Sequence, residues 1–185
     1  MSHRKIWDMA LQRNEPVTIF EDDAIVHRDF AAVSAELLNE LGQDWDFVMW
    51  GWNFDAPIGY EIFPNVPTLT RFSERHLRDN WHQVQHARSK HQMHKLHFAF
   101  GTVCYSVSPQ GVKRVTDSLF PIRPVLYKSP ELEIESLSID CHLATLYPQL
   151  NAYICINPLV ITQEGRSSST VQEDHLPAAF PGSGA

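Results

Sequence analysis

The spacing of apolar residues switches between helical and extended periods along the chain. Ile6, Met9 and Ala10 recur at helical spacing, so Ile6 to Leu11 reads as the end of a helix that Asn14 and Pro16 stop. Val17-Thr18-Ile19-Phe20 is a short β-rich apolar run, the pattern of a buried strand, and three acids follow it at once. Phe30, Val33, Leu37, Leu38 and Leu41 fall on one face of a helix that Gly42 ends. Phe47 to Gly51 is a second buried-strand candidate. The order helix, strand, acidic turn, helix, strand predicts an α/β sheet.

Farther on the pattern is more broken. Pro57, Gly59, Pro64 and Pro67 make Trp52 to Thr70 read as loop, and Ser73 to Lys95 as polar and helical. Leu96 to Val107 resembles one long strand interrupted at Gly101. Ser108-Pro109 fits an N-cap and first-turn proline for a helix to about Phe120, ended by Pro121 and Pro124. A short helix is expected from Asp140, as its cap, to Pro148. Ala152 to Ile156 and Leu159 to Ile161 are the last strand candidates. Gln163 to Ala185, rich in Gly, Ser and Pro, has too little apolar surface to offset the entropy of ordering and is expected to be a disordered tail. One domain over residues 1–162 accounts for the rest.

Composition adds constraints. The 185 residues are 43% hydrophobic and 20% charged, normal for a globular domain. Net charge is −7, with 22 acidic residues against 15 Lys and Arg, which argues against nucleic acid as a partner. Cys104, Cys141 and Cys155 follow no zinc or CxxC spacing and read as buried thiols of a reducing compartment. There is no run of 18 apolar residues and no signal-peptide pattern, so a cytoplasmic location is the expectation.

Glu21-Asp22-Asp23 is the strongest chemical signal. Adjacent carboxylates repel by about 1 kcal/mol per close pair in water. A bound cation relieves that, and Mg²⁺ or Mn²⁺ takes one or two carboxylates together with phosphate oxygens. The alternative is a solvated acidic turn that favours the next helix N-terminus. On spacing alone the solvated turn is the plainer reading, because the motif is short and unspecific. Trp50 and Trp52, at i and i+2, fall on one side of a strand. Packing is therefore the plainer account of both, with Trp50 read as core; the other reading is that Trp52, Asn53 and Asp55 meet sugar CH faces and hydroxyls.

Five segments together resemble glycosyltransferase family 25, the lipooligosaccharide-type sugar transferases that include the procollagen galactosyltransferases. They are Ser2-His3 with Trp7; Ile19-Phe20-Glu21-Asp22-Asp23-Ala24; Gly101-Thr102 with Tyr105-Ser106-Val107-Ser108 and Gly111; Ile139-Asp140-Cys141-His142-Leu143; and Asn157-Pro158-Leu159-Val160 with Gln163. The resemblance implies a GT-A-like (Rossmann-like) mixed sheet flanked by helices. It implies a UDP-sugar donor, often UDP-galactose, a Mn²⁺ (or Mg²⁺) cofactor and inversion at the anomeric carbon. The acceptor it implies is a glycan such as lipooligosaccharide; a peripheral place at the membrane surface is a separate expectation that the residues do not argue for. Glu21, Asp22 and Asp23 then serve the metal–diphosphate site, with Asp22 and Asp23 as ligands. Gly101 and Thr102 contact substrate, and Asp140 is the general base, ahead of Glu133 and Glu135. Relatives carry a longer part before the Ser-His element, so the fold is expected to be incomplete at its N-terminus. The competing expectation is a non-catalytic remnant that binds sugar or a partner. Cys141 and His142 depart from the family's usual residues and predict a different acceptor side.

His76, His82, His86, His91, His94 and His97 crowd one stretch. His82 and His86 are at i, i+4, but the intervening Glu of a zinc-protease helix is missing, and a polar solvated helix is the plainer reading. A phosphoesterase would need ligands beyond His27 and Asp29. Neither a nucleophile elbow nor a P-loop motif is present.

Overall fold

The computed structural model describes residues 2–129 and 132–162. A seven-stranded mixed sheet forms the centre, in the order β1-β7-β3-β10-β6-β4-β5. Its strands are β1 (Val17–Phe20), β3 (Phe47–Gly51), β4 (Ile58–Phe63), β5 (Val66–Thr70), β6 (Gln92–Phe98), β7 (Cys104–Val107) and β10 (Ala152–Ile156). Two small pairs flank it: β2 (Ala24–Val26) with β11 (Val160–Thr162), and the hairpin β8 (Val125–Ser129) with β9 (Leu132–Ser136). The helices are α1 (Ser2–Arg13), α2 (Phe30–Leu41), α3 (Glu74–Asp79), α4 (Trp81–His86), α5 (Pro109–Leu119) and α6 (Ile139–Leu146), the last running into a 3₁₀ turn at Tyr147–Gln149.

Every residue of β3 is buried, because strands pair on both edges and cores cover both faces. One core gathers Trp7, Phe47, Met49, Trp52, Tyr105, Leu143 and Ile154 under α1, α5 and α6. The other packs Leu37, Val48, Trp50, Cys155 and Val160 under α2. Side chains along β3 alternate between the two, as the two-residue period of a strand requires. Ser108 caps α5 through Gly111 N–H (3.0 Å). Gly111 sits so close to the Asp46 backbone that a Cβ there would overlap the Asp46 carbonyl.

The registers fix direction. β3 and β10 are parallel, and every other neighbouring pair is antiparallel. β1, β3, β10 and β4 therefore all deliver their carboxyl ends to the same end of the sheet.

Several expectations change. The stretch 52–70 is not all loop, because β4 and β5 form a hairpin in it; the prolines occupy its start, tip and edge strand rather than its centre. The segment 73–95 holds two short helices and then enters β6 at Gln92. The run 96–107 is two strands with β3 and β10 between them. Ser138, not Asp140, is the N-cap position of α6, and Asp140 lies in the first turn. Trp50 and Trp52 enter opposite cores, because the β3–β7 register shifts between Met49 and Gly51 and β3 ends before Trp52. The expected tail, 163–185, lies outside the described residues.

Candidate active site at the carboxyl end of β1

Glu21 leaves β1 with its N–H donating to Val103 O (3.0 Å), and Ala24 N–H donates back to Glu21 O (3.2 Å). This tight turn feeds β2 and hands the three acids different environments. Glu21 is half-buried and accepts a bond from Thr102 Oγ1 at 2.5 Å. Asp22 is exposed. Asp23 accepts from Thr162 Oγ1 at 2.6 Å, so the β11–β2 pair holds it.

A second strand end meets the first. Asn53, just beyond β3, donates its N–H to Phe100 O (2.8 Å). That bond brings Gly101 and Thr102 alongside. Gly101 has φ +79°, a conformation that L side chains rarely adopt, and a Cβ there would overlap the Asn53 side chain. Its N–H donates to Asp140 Oδ2 (3.0 Å), while Cys141 N–H donates to Asp140 Oδ1 (2.9 Å). Glycine here serves two ends: it admits Asn53, and it aims a backbone donor at the carboxylate on α6.

Electrostatics unite the group. Burial raises the Glu21 carboxyl above its ordinary value; the Thr102 bond opposes this, and the charges of Asp23, Asp140 and Asp22 add to the rise. Four carboxylates thus share one field. Among the described residues none of the four makes an ion pair with Lys or Arg. Nor is any group of three or more His, Cys, Asp or Glu side chains arranged to hold a metal ion alone. That arrangement still fits a Mg²⁺- or Mn²⁺-type ion, which takes one or two carboxylates and draws its remaining oxygens from phosphate and water. Asp22 and Asp23 are the hard oxygen donors available for it.

The other candidates fare differently. Trp52, expected as a sugar platform, is fully buried, with Phe54 and Phe72 ring centroids at 4.9 and 5.7 Å. Its ring is core, which corrects that expectation, and its indole N–H is buried without a hydrogen-bond partner among the described residues. Asp55 is half-buried in the same segment. Glu133 lies on the β8–β9 hairpin, paired with Lys128 (2.9 Å), and Glu135 is exposed there, so neither stands beside the acidic turn. His82 and His86 are exposed on α4, while His91, His94 and His97 contact Asn157 O, Glu61 O and Glu61 Oε1. Burial pushes the Cys155 thiol up to about 12 and the Cys104 thiol higher still, so neither is a nucleophile at neutral pH.

Two supports were not foreseen from sequence. Trp7 Nε1 donates to Tyr105 Oη (3.0 Å), and His3 Nδ1 lies 2.8 Å from the same oxygen. This anchors α1 on β7 close enough to the site that the Glu21 charge acts on Tyr105. Thr162 is the other. Both join residues about a hundred or more apart, which no local pattern reports.

No curated protein and no solved structure matches the chain. A family model, glycosyltransferase family 25 (LPS biosynthesis protein), matches residues 1–130. The match takes in the acidic turn, Asn53, Gly101 and Thr102 and stops before Asp140 and Thr162. With well over half its length matched, the chain belongs to glycosyltransferase family 25, a family of lipopolysaccharide-biosynthesis glycosyltransferases.

Proposed function

We propose that this protein transfers a hexose, galactose first among candidates, from a UDP-sugar to a lipooligosaccharide-type glycan, with inversion and with a Mn²⁺- or Mg²⁺-type ion. The observation that carries this reading is the run of three carboxylates at the end of β1 with Asp140 of α6 in their field, none of them paired with Lys or Arg among the described residues. Such a set fits a cation and a diphosphate better than it fits a solvated turn, since three of the four are partly drawn out of water. The placement also suits the reading, because ligands of open α/β sheets bind beyond the carboxyl ends of strands.

In this reading Asp22 and Asp23 hold the ion, which when bound neutralises charge on the departing diphosphate. Glu21, fixed by Thr102, orients the turn. Asp140 receives the proton of the acceptor hydroxyl as its oxygen bonds to the anomeric carbon and the bond from that carbon to the UDP oxygen breaks. The Gly101 and Cys141 N–H groups hold the Asp140 carboxylate in place for this. Asn53 and Asp55 supply polar contacts to the sugar. The fold class suits a GT-A-type assignment.

The test is a panel of nucleotide-sugars with Mn²⁺, scored by UDP release with and without a glycan acceptor. Acceptor-dependent UDP release, lost in Asp23→Asn and Asp140→Asn and on treatment with EDTA, supports the assignment. Near-normal turnover in either variant overturns the role of that residue. Phosphatase activity without nucleotide-sugar preference overturns the reaction class.

A further inference from the structure

The β4–β5 hairpin ends in an apolar tip. Ile62, Phe63 and Val66 are 47%, 68% and 48% exposed. The turn between them is firm: Asn65 takes φ +64°, and its N–H donates to Glu61 Oε2 (2.9 Å), while Glu61 Oε1 meets His97 Nε2 (3.2 Å). The acid nearest the tip, Glu61, is thus held between the Asn65 N–H and the His97 ring, and no Asp or Glu occurs from Ile62 to Ser73. The loop entering β6 comes out beside this tip, because β4 and β6 are antiparallel and His94 Nδ1 meets Glu61 O (2.8 Å). That loop carries Arg88 and Lys90, both exposed, with no ion-pair partner among the described residues. No acid occurs from residue 80 to residue 116, in a chain of net charge −7. An exposed aromatic tip beside unneutralised cations is the composition of an interfacial anchor.

We infer that the hairpin tip 62–66 and the 88–91 loop form a docking surface for an anionic lipid membrane, with Phe63 entering the headgroup boundary and Arg88 and Lys90 meeting lipid phosphates. A second copy of the chain adding to the β5 edge suits this surface less well, since Pro67 removes a ladder donor there. The direction of β4 puts the tip at the same end of the sheet as the acidic turn. Docking would therefore set the catalytic end toward a lipid-linked glycan. Only this last use rests on the proposed transfer reaction; the docking itself does not.

The experiment is co-sedimentation of the full chain with phosphatidylcholine vesicles that contain or lack phosphatidylglycerol, without nucleotide-sugar or metal. Binding is expected only to the anionic vesicles and should weaken as salt rises. Phe63→Asp should reduce it by at least about tenfold. Arg88→Glu and Lys90→Glu should each reduce it by roughly fivefold or more. Phe63→Asp should keep the circular dichroism spectrum and the urea midpoint of the parent chain, which shows that the variant is folded. Failure of the chain to bind anionic vesicles overturns the inference, as does equal binding by Phe63→Asp. A concentration-dependent dimer abolished by Phe63→Asp, without vesicle binding, also overturns it and makes the tip a self-association surface. Loss of UDP release with vesicle binding intact would instead count against the reaction assignment alone.

Discussion

Replacing Gly101 by Ala tests whether the crossing of two strand ends holds the site together. The residue has φ +79°, where an L side chain costs about 1–2 kcal/mol. Its Cβ would overlap Asn53 Oδ1 and Cγ and stand 2.9 Å from Asn53 N. The side chain can swing away, but the backbone nitrogen is tied to Phe100 O at 2.8 Å and cannot do so freely. Overpacking of this kind adds about 1–3 kcal/mol, so Gly101→Ala should destabilise by roughly 2–5 kcal/mol. With a urea slope of about 2 kcal/mol/M the midpoint should fall by roughly 1–2.5 M. Asn53→Ala in the same chain removes two of the three overlaps and should restore part of the loss, appearing as coupling in a double-mutant cycle. Even a folded Gly101→Ala should release UDP slowly, since the donor to Asp140 Oδ2 is displaced. A midpoint shift below about 0.3 M together with wild-type turnover would refute the argument. Additivity of the two substitutions would show that Asn53 is not the obstacle.

Other expectations follow from neighbouring contacts. Asp22→Asn, at an exposed position, should leave thermal stability within about 0.5 kcal/mol while lowering metal-dependent UDP release, so equal activity with and without the carboxylate removes Asp22 from the metal assignment. Burial, then the nearby N-terminal charge, lowers the His3 pKa below 6.5, so the unfolded chain takes up the proton first. Stability should therefore fall as pH drops from 6.5 through the folded value, and His3→Asn should flatten that slope in thermal melts across pH; an unchanged slope refutes it. Asp46 Oδ2 accepts from Arg114 Nη1 (2.6 Å) and Asn151 N–H (2.8 Å) in full burial, so Asp46→Ala should cost about 2–4 kcal/mol in urea unfolding, discounted because Arg114 is half exposed. A cost under about 1 kcal/mol would mean that Arg114 finds water instead. The Tyr147 hydroxyl is buried without a partner among the described residues, so Tyr147→Phe should be neutral or stabilising by up to about 1 kcal/mol, and a clear loss would reveal a partner.

The sequence was most legible where one periodic face decided the element. α2 and the strands β1 and β3 lie where the pattern of apolar residues put them, because each buries one clean stripe or a continuous run. It was least legible where tertiary pairing overrode local punctuation. Pro64 and Pro67 read as loop markers, yet β4 and β5 tolerate them at a tip and on an edge. The run from Leu96 to Val107 gave no sign that its halves separate to either side of β3 and β10. In the site, the acidic turn stood out because three adjacent charges need an explanation. Thr162 beneath Asp23 and Tyr105 beneath His3 and Trp7 did not, since ordinary hydroxyls carry no signal until the chain folds back. Trp52 misled because a Trp face suits a sugar and a core equally well, and the two-residue period that put it on the side of Trp50 stops when the register of β3 shifts.

The position of β10 has a consequence for synthesis. It is the last strand of the sheet to leave the ribosome, yet it sits in the middle, between β3 and β6. Until about residue 156 has emerged, β1-β7-β3 and β6-β4-β5 are separate ribbons, each with a bare inner edge of hydrogen-bonding groups. The nascent chain must keep those edges from pairing with each other or with a neighbour, which makes it a natural client for chaperones during translation. A premature stop shortly before Ala152 should yield insoluble product rather than a smaller folded domain.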